Sequence, residues 1–131
     1  MPWYSEEMRN AKLDANATII GNAGLLRIYN GTKPSGGGAI STQTKLAEFT
    51  LGSPFAPAAD NGVQDVTLPA DVTGLASGTA TWGRILKADG TTACIDVTVG
   101  TSAANVILNT TSITSGGDVS ITDFTITDGN T

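Results

Sequence analysis

The sequence predicts a mainly β protein, an antiparallel β-sandwich of jelly-roll type with one short N-terminal helix. Three observations carry that prediction. Gly, Thr and Ser together make up about a third of the 131 residues, while the helix formers Glu and Lys are scarce, a balance that favours turn-rich β structure. From Gly24 onward, short apolar runs are separated by Gly, Pro, Asn and Asp, the punctuation of many short strands. The final run, VSITDFTIT, changes parity, with Val119 and Ile121 on one face and Phe124 and Ile126 on the other. Such a change marks a bulge or a strand passing between sheets at a corner, and seven or eight strands with a corner describe a jelly roll. There is no repeat of fixed period to suggest a propeller or β-helix.

Residues 1–22 read as an arm and helix, and residues 23–131 as the sandwich, in one domain overall. The helical window is Ser5 to Ile20. Ser5 serves as N-cap, Glu6 and Glu7 face the positive end of the helix dipole, and Gly21 closes the C-terminus. Met8, Ala11, Ala15 and Ile19 recur at helical spacing and form one narrow apolar stripe on a short helix that leads into the β domain. Strands are expected near Leu25 to Tyr29, Lys45 to Leu51, Val63 to Leu68, Thr79 to Ala88, Thr91 to Val99, Asn105 to Leu108 and Val119 to Thr127, with an edge strand around Ser112 to Thr114. NGTKPSGGGAISTQT reads as a long exposed loop, too Gly-rich to pack. GSPFAPAADNG is a second loop, whose prolines would interrupt a central strand.

The strongest local signal is Asp89-Gly90 between two alternating runs, the preferred sequence of a two-residue type I′ hairpin. That turn pairs Ala88 with Thr91. Leu86, Arg84, Trp82 and Ala80 then face Ala93, Ile95, Val97 and Val99 on one side, while Ile85 faces Cys94 and Gly83 faces Asp96 on the other. Arg84 is thus the one charge on an apolar face. It calls for an acidic partner, a place at the rim or a subunit contact.

Composition excludes several chemistries. The absence of histidine removes the usual general base and the commonest zinc ligand. Cys94, the single cysteine, forms no internal disulfide and suits a chain made in a reducing cytosol; on a strand it reads as a small buried hydrophobe. The chain carries a formal net charge of −5, and its basic residues (Arg9, Lys12, Arg27, Lys33, Lys45, Arg84, Lys87) are scattered, so nucleic acid is not an expected partner. No signal peptide is visible, and no apolar run approaches the ~18 to 20 residues that span a bilayer. The expectation is therefore synthesis in the cytoplasm and no membrane partner. A chain of this length buries ~68% of its unfolded surface, so no metal or disulfide staple is needed.

The motifs that would carry catalysis are missing. There is no S-x-x-K, and Ser41 with Lys45 is a loop pair rather than a dyad. Asp60, Asp71, Asp89, Asp118, Asp123 and Asp128 sit beside turns or strand ends, where Asp serves the backbone. The spacing of Asp118, Asp123 and Asp128 does not match an EF-hand loop. Gly36 to Gly38 is not followed by the lysine and helix of a phosphate loop. The Asn-x-Ser/Thr triplets at Asn16, Asn30 and Asn109 carry no weight in a chain this rich in Ser and Thr. No cofactor, metal or catalytic residue is expected. Trp3 and Tyr4, by contrast, are aromatics at a terminus, where such residues anchor into a neighbour or fold back on their own domain.

AKLDANATIIGNAGLLRIYNGTKP, followed later by GTATWGRILKADGTTACIDVTVG and SGGDVSITDFTITDGNT, resembles a family of small β-sandwich proteins encoded by tailed bacteriophages beside their major capsid genes. The resemblance spans most of the chain, though residues 35–75 match only in character, and none of its anchors is a catalytic motif. It implies a capsid decoration, or cement, protein: a jelly-roll subunit, made in the host cytoplasm, forming a homotrimer on the exterior of the virion and clamping the major capsid protein against internal pressure. Pro2, Trp3, Tyr4 and Arg84 are then the expected capsid or subunit interface, with the long loops. The rivals are another virion component (neck, baseplate or tail) and a head-displayed glycan-binding module. Seven aromatics with no cluster on one face make a poor sugar platform.

Overall fold

A computed structural model describes residues 3–128. The chain opens with helix α1 (Glu6–Ile20) and continues through eleven strands: β1 (Leu25–Tyr29), β2 (Lys45–Thr50), β3 (Val63–Asp65), β4 (Val72–Thr73), β5 (Gly78–Thr79), β6 (Trp82–Leu86), β7 (Ala93–Gly100), β8 (Val106–Leu108), β9 (Ser112–Ile113), β10 (Asp118–Val119) and β11 (Ile121–Thr127). Seven form one sheet in the order β2-β1-β6-β7-β8-β11-β3, and β10-β4 and β5-β9 are two-stranded ribbons. The mainly β class with one N-terminal helix holds.

The main sheet departs from a purely antiparallel one at a single place, where β8 runs parallel to the end of β7 through Val99–Val106 and Gly100–Ile107. Parallel neighbours ordinarily need a long crossover. Here five residues suffice because the overlap is only two pairs long, and Asn105 ties the S-bend: its Oδ1 accepts from Thr98 N and Thr98 Oγ1, each at 3.1 Å.

A flat seven-stranded sheet would be ~29 Å across at ~4.8 Å per strand. One apolar cluster nevertheless includes Phe49 and Leu46 from β2 at one edge and Ile121 and Phe124 from β11 near the other. The sheet must therefore curl around its core. Phe55, beyond β2, meets Phe124 edge-on at 6.1 Å. On the core face the rows Phe49-Leu26-Ile85-Ile95 and Ala47-Ile28-Gly83-Val97 cross four strands. Gly83 fits the close approach there, since a Cβ would lie 3.2 Å from both Leu26 Cδ1 and Arg27 O and would make those neighbours shift by a few tenths of an ångström.

Local corrections to the sequence reading have physical causes. Thr79 to Ala88 is broken at Ala80 and Thr81, whose N–H groups leave the ladder for Thr111 O and Tyr29 O. Val63 to Leu68 shortens to three residues: Val66 N still bonds Phe124 O in the β11 register, but Thr67 N leaves that ladder for Phe55 O. The parity change in the last run is a break at Ser120 followed by a bulge at Thr122, with Ile121 paired to Leu108 and Asp123 to Ile107. β4 was not expected; two residues carry no periodic signal.

The helix begins as expected, with Ser5 Oγ accepting from Met8 N at 3.2 Å, and Gly21 closes it at φ 74°. Its buried face is not the apolar stripe. Leu13 and Ile20 are buried and Ala17 packs on the core, whereas the stripe of Met8, Ala11, Ala15 and Ile19 points to solvent. Polar pairing decides this orientation. Glu6, Asn10 and Asp14, one turn apart, accept from Asn61 N, Gly62 N and Ala59 N. Gln64, fully buried, donates to Leu13 O at 2.7 Å and accepts from Asn16 Nδ2 at 3.2 Å. Gly62 N and the Gln64 side chain are buried and need partners, and this face of α1 supplies them.

Candidate functional site

Two regions hold the residues that the sequence singled out. The first is the arm. Pro2 lies outside the described residues. Tyr4 is half-buried beneath Lys12, whose Nζ sits 3.7 Å from the ring centroid and 2.9 Å from Asp128 Oδ2. Tyr4 thus folds back on its own domain. Trp3, one residue earlier, is 77% exposed. Met8 at 52% and Ile19 at 57% extend the outward apolar surface along α1, with Ala11 and Ala15 exposed between them.

The second region surrounds Arg84. The hairpin turn is not type I′: Gly90 N bonds Lys87 O at 3.0 Å, only Gly90 takes a positive φ (73°), and Asp89 does not. Asp89 instead ties the turn through its carboxylate, which accepts from Thr91 N at 2.8 Å, Thr92 N at 2.9 Å and Thr92 Oγ1 at 2.7 Å. These bonds hold its pKa far below the usual carboxylate range. Leu86 pairs with Ala93 as expected, but Ile85 pairs with Ile95, so Cys94 is an extra, bulged residue. The bulge moves Arg84 from Ile95 to Asp96, which corrects the register. It also leaves Cys94 half-exposed rather than buried in a ladder pair.

Arg84 is 6% exposed and makes a two-pronged pair with Asp96, Nε–Oδ1 at 2.7 Å and Nη2–Oδ2 at 3.0 Å. The Asp96 hydrogen bonds raise the guanidinium pKa. Its Nη2 also donates to Gly38 O at 2.8 Å. The Gly-rich segment is an exposed loop, as expected, but it is tethered: it lies across the sheet as a strap. Arg84 pins its middle, and its ends are held by Thr44 N donating to Asn30 Oδ1 and Trp82 Nε1 donating to Asn30 O. Beside Arg84 the outer face carries the row Glu48-Arg27-Arg84-Asp96, and Trp82 stacks on Tyr29 at 4.8 Å. Burial raises the Glu48 pKa, but the Arg27 hydrogen bond and the charges of Lys45 and Arg27 outweigh it and lower it overall. Of the three places the sequence allowed for Arg84, the row supplies the acidic partner, and none of Arg84's hydrogen bonds reaches the arm.

Two recesses flank the bulge. One, of about 520 Å³, lies between the strap and β7 and is lined by Lys33, Pro34, Gly37, Cys94 and Asp96 among others. The other, of about 300 Å³, lies between the last turn of α1 and the hairpin, with walls from Ile19, Ile20, Ala93, Cys94 and Ile95 and with Lys87 at its edge. Sequence reasoning missed both, because an extra residue in a strand leaves no mark on composition or period. Among the described residues no three acidic or cysteine side chains converge as metal ligands, and no helix is long and apolar enough to cross a membrane. Comparison with family models, curated proteins and solved structures finds no match for this chain.

Proposed function

We propose that the protein is a bacteriophage capsid decoration protein, a cement subunit that binds the outer lattice of the mature head through its major capsid protein. The observation that carries this reading is the outward apolar surface of the arm and α1. Trp3, Met8 and Ile19 are large apolar side chains exposed along the arm and α1, with exposed Ala11 and Ala15 between Met8 and Ile19, a stripe that supports an association surface. Behind them the domain is a small scaffold whose charged outer row is satisfied internally. The residues that carry the phage resemblance fall on α1, β1, the β6–β7 hairpin and β11, the elements that build this scaffold and present its helix. A cement protein acts by burying surface at many symmetric copies of one site, so modest affinity per contact is multiplied by effective concentration.

The test is to add purified protein to matured capsids lacking it and count the copies bound. Saturation near one copy per capsid protein, with heads that then better survive heat, supports cement. A dozen copies or fewer per particle would move it to a vertex, neck or tail, and no binding would overturn the reading in favour of a glycan-binding module.

A further inference from the structure

We infer that Trp3 of one copy seats in the α1–hairpin recess of a second copy, so that the chain associates with itself by an arm-in-pocket contact. The recess supplies the hole. Its lining is mainly apolar, with Ile19, Ile20, Cys94 and Ile95 beside the polar Asn16 and Thr92, and it has about 300 Å³ of space. Trp3 supplies the knob, 77% exposed next to a Tyr4 that is held in place by Lys12.

The occupant is a second copy because the chain cannot fill its own recess. α1 has 15 residues and is ~22 Å long. Trp3 precedes its N-terminal end, while the recess is walled by its last turn. The two residues from Trp3 to Ser5 reach at most ~7 Å, and Tyr4 is already committed to the first turns. Charge agrees with this pairing. Glu6 and Glu7 follow Trp3 and are exposed. Lys87 stands at the edge of the recess and takes part in no ion pair among the described residues. An acidic arm thus meets a recess with a basic edge. The knob and the hole are different surfaces, so the contact is heterologous and generates a ring where the rotation closes. The threefold implied by the phage resemblance is one such ring. The inference places Trp3 and Ile19 in a contact between copies, leaving Met8, Ala11 and Ala15 of the apolar stripe facing outward, and it does not depend on the capsid reading.

The native Cys94 in the recess wall makes the contact directly testable. In P2C, which keeps Trp3, mild oxidation with copper phenanthroline removes one electron and one proton from each of two thiols and joins the arm of one chain to Cys94 of another. The expected result is a ladder or closed covalent oligomer on a non-reducing gel, absent from wild type, from P2C/C94A and from P2C/W3A, which lacks the knob. In parallel, sedimentation should give an oligomeric wild type and a monomeric W3A, and the Cys94 thiol of W3A should react with a soluble disulfide reagent at least tenfold faster. Tryptophan fluorescence and circular dichroism verify that each variant is folded. No cross-link in P2C above the level of P2C/W3A, or a monomeric wild type at tens of micromolar, overturns the inference, and both readouts are made without capsids, so they are independent of lattice binding.

Discussion

Replacing Arg84 by methionine tests whether the strap is held by a buried ion pair. Arg84 and Asp96 have side-chain exposures of 7% and 13% and a two-pronged geometry at 2.7 and 3.0 Å. R84M leaves the Asp96 carboxylate buried without its partner, and breaking a buried pair from one side costs ~3–5 kcal/mol. At about 4 °C per kcal/mol for a chain of this size, the melting temperature should fall by about 12–20 °C. R84M/D96L removes both charges and should recover to within ~1 kcal/mol of wild type, because an apolar replacement of a buried pair is close to neutral. The two sites are in contact, so the double-mutant cycle must be strongly non-additive. Urea denaturation followed by Trp82 fluorescence gives all four stabilities. Limited proteolysis adds a local readout, since both variants lose the donor to Gly38 O and should be cut faster within residues 33–41. An R84M protein within 1 kcal/mol of wild type, or an additive cycle, would refute the clamp.

The orientation of α1 is tested by paired truncations. L13A removes a side chain that is 3% exposed and should cost ~2–5 kcal/mol, whereas I19A, at 57% exposure, should stay within about 0.5 kcal/mol; equal losses in chemical denaturation would contradict the polar-latched orientation. Asp89 contributes to the acid limb of stability. Its folded pKa lies below its unfolded value, so its contribution is present above the unfolded pKa of ~3.9 and is lost as pH falls toward the folded one. The gap in denaturation midpoint between wild type and D89N should therefore be constant from pH 8 to 5 and shrink below pH 4, and a gap that widens on acidification would reverse the assignment.

Much of the scaffold was legible because its signals are local. β1 was expected at Leu25 to Tyr29 and is found there, since an apolar run between Gly24 and Asn30-Gly31 has one reading. Ser5 and Gly21 mark the helix ends by backbone chemistry that neighbouring residues determine. The orientation of α1 was not legible. Its hydrophobic period points to Met8 and Ile19, but the buried face is chosen by donors at Ala59, Gly62 and Gln64, some fifty positions away. The hairpin failed for a related reason. Asp-Gly suits a type I′ turn, but the Asp89 carboxylate finds three donors in Thr91 and Thr92 with Asp89 outside the positive-φ region. An acidic partner was one of three places the sequence allowed for Arg84, and its identity depended on a bulge that no period records.

That bulge links the clamp to the recess, and deleting Cys94 separates them. The extra residue lets Leu86 pair with Ala93 while Ile85 pairs with Ile95, and it also forms part of the wall of the α1–hairpin recess. Without residue 94, Ala93 and Ile95 become adjacent, and the ladder runs regularly from Leu86–Ala93 to Ile85–Ile95. Every pair beyond it, Arg84–Asp96 included, keeps its partner. The turn from Lys87 to Thr92 is untouched. A regular ladder has no unpaired residue to accommodate, so the deletion should change stability by less than ~1.5 kcal/mol and leave the strap as resistant to protease as in wild type. The recess, however, loses a wall, and self-association in sedimentation should fall to the level of W3A. A Cys94-deleted chain that unfolds would mean that the bulge is needed to fit the hairpin to its neighbours. One that folds and still associates would place the arm elsewhere.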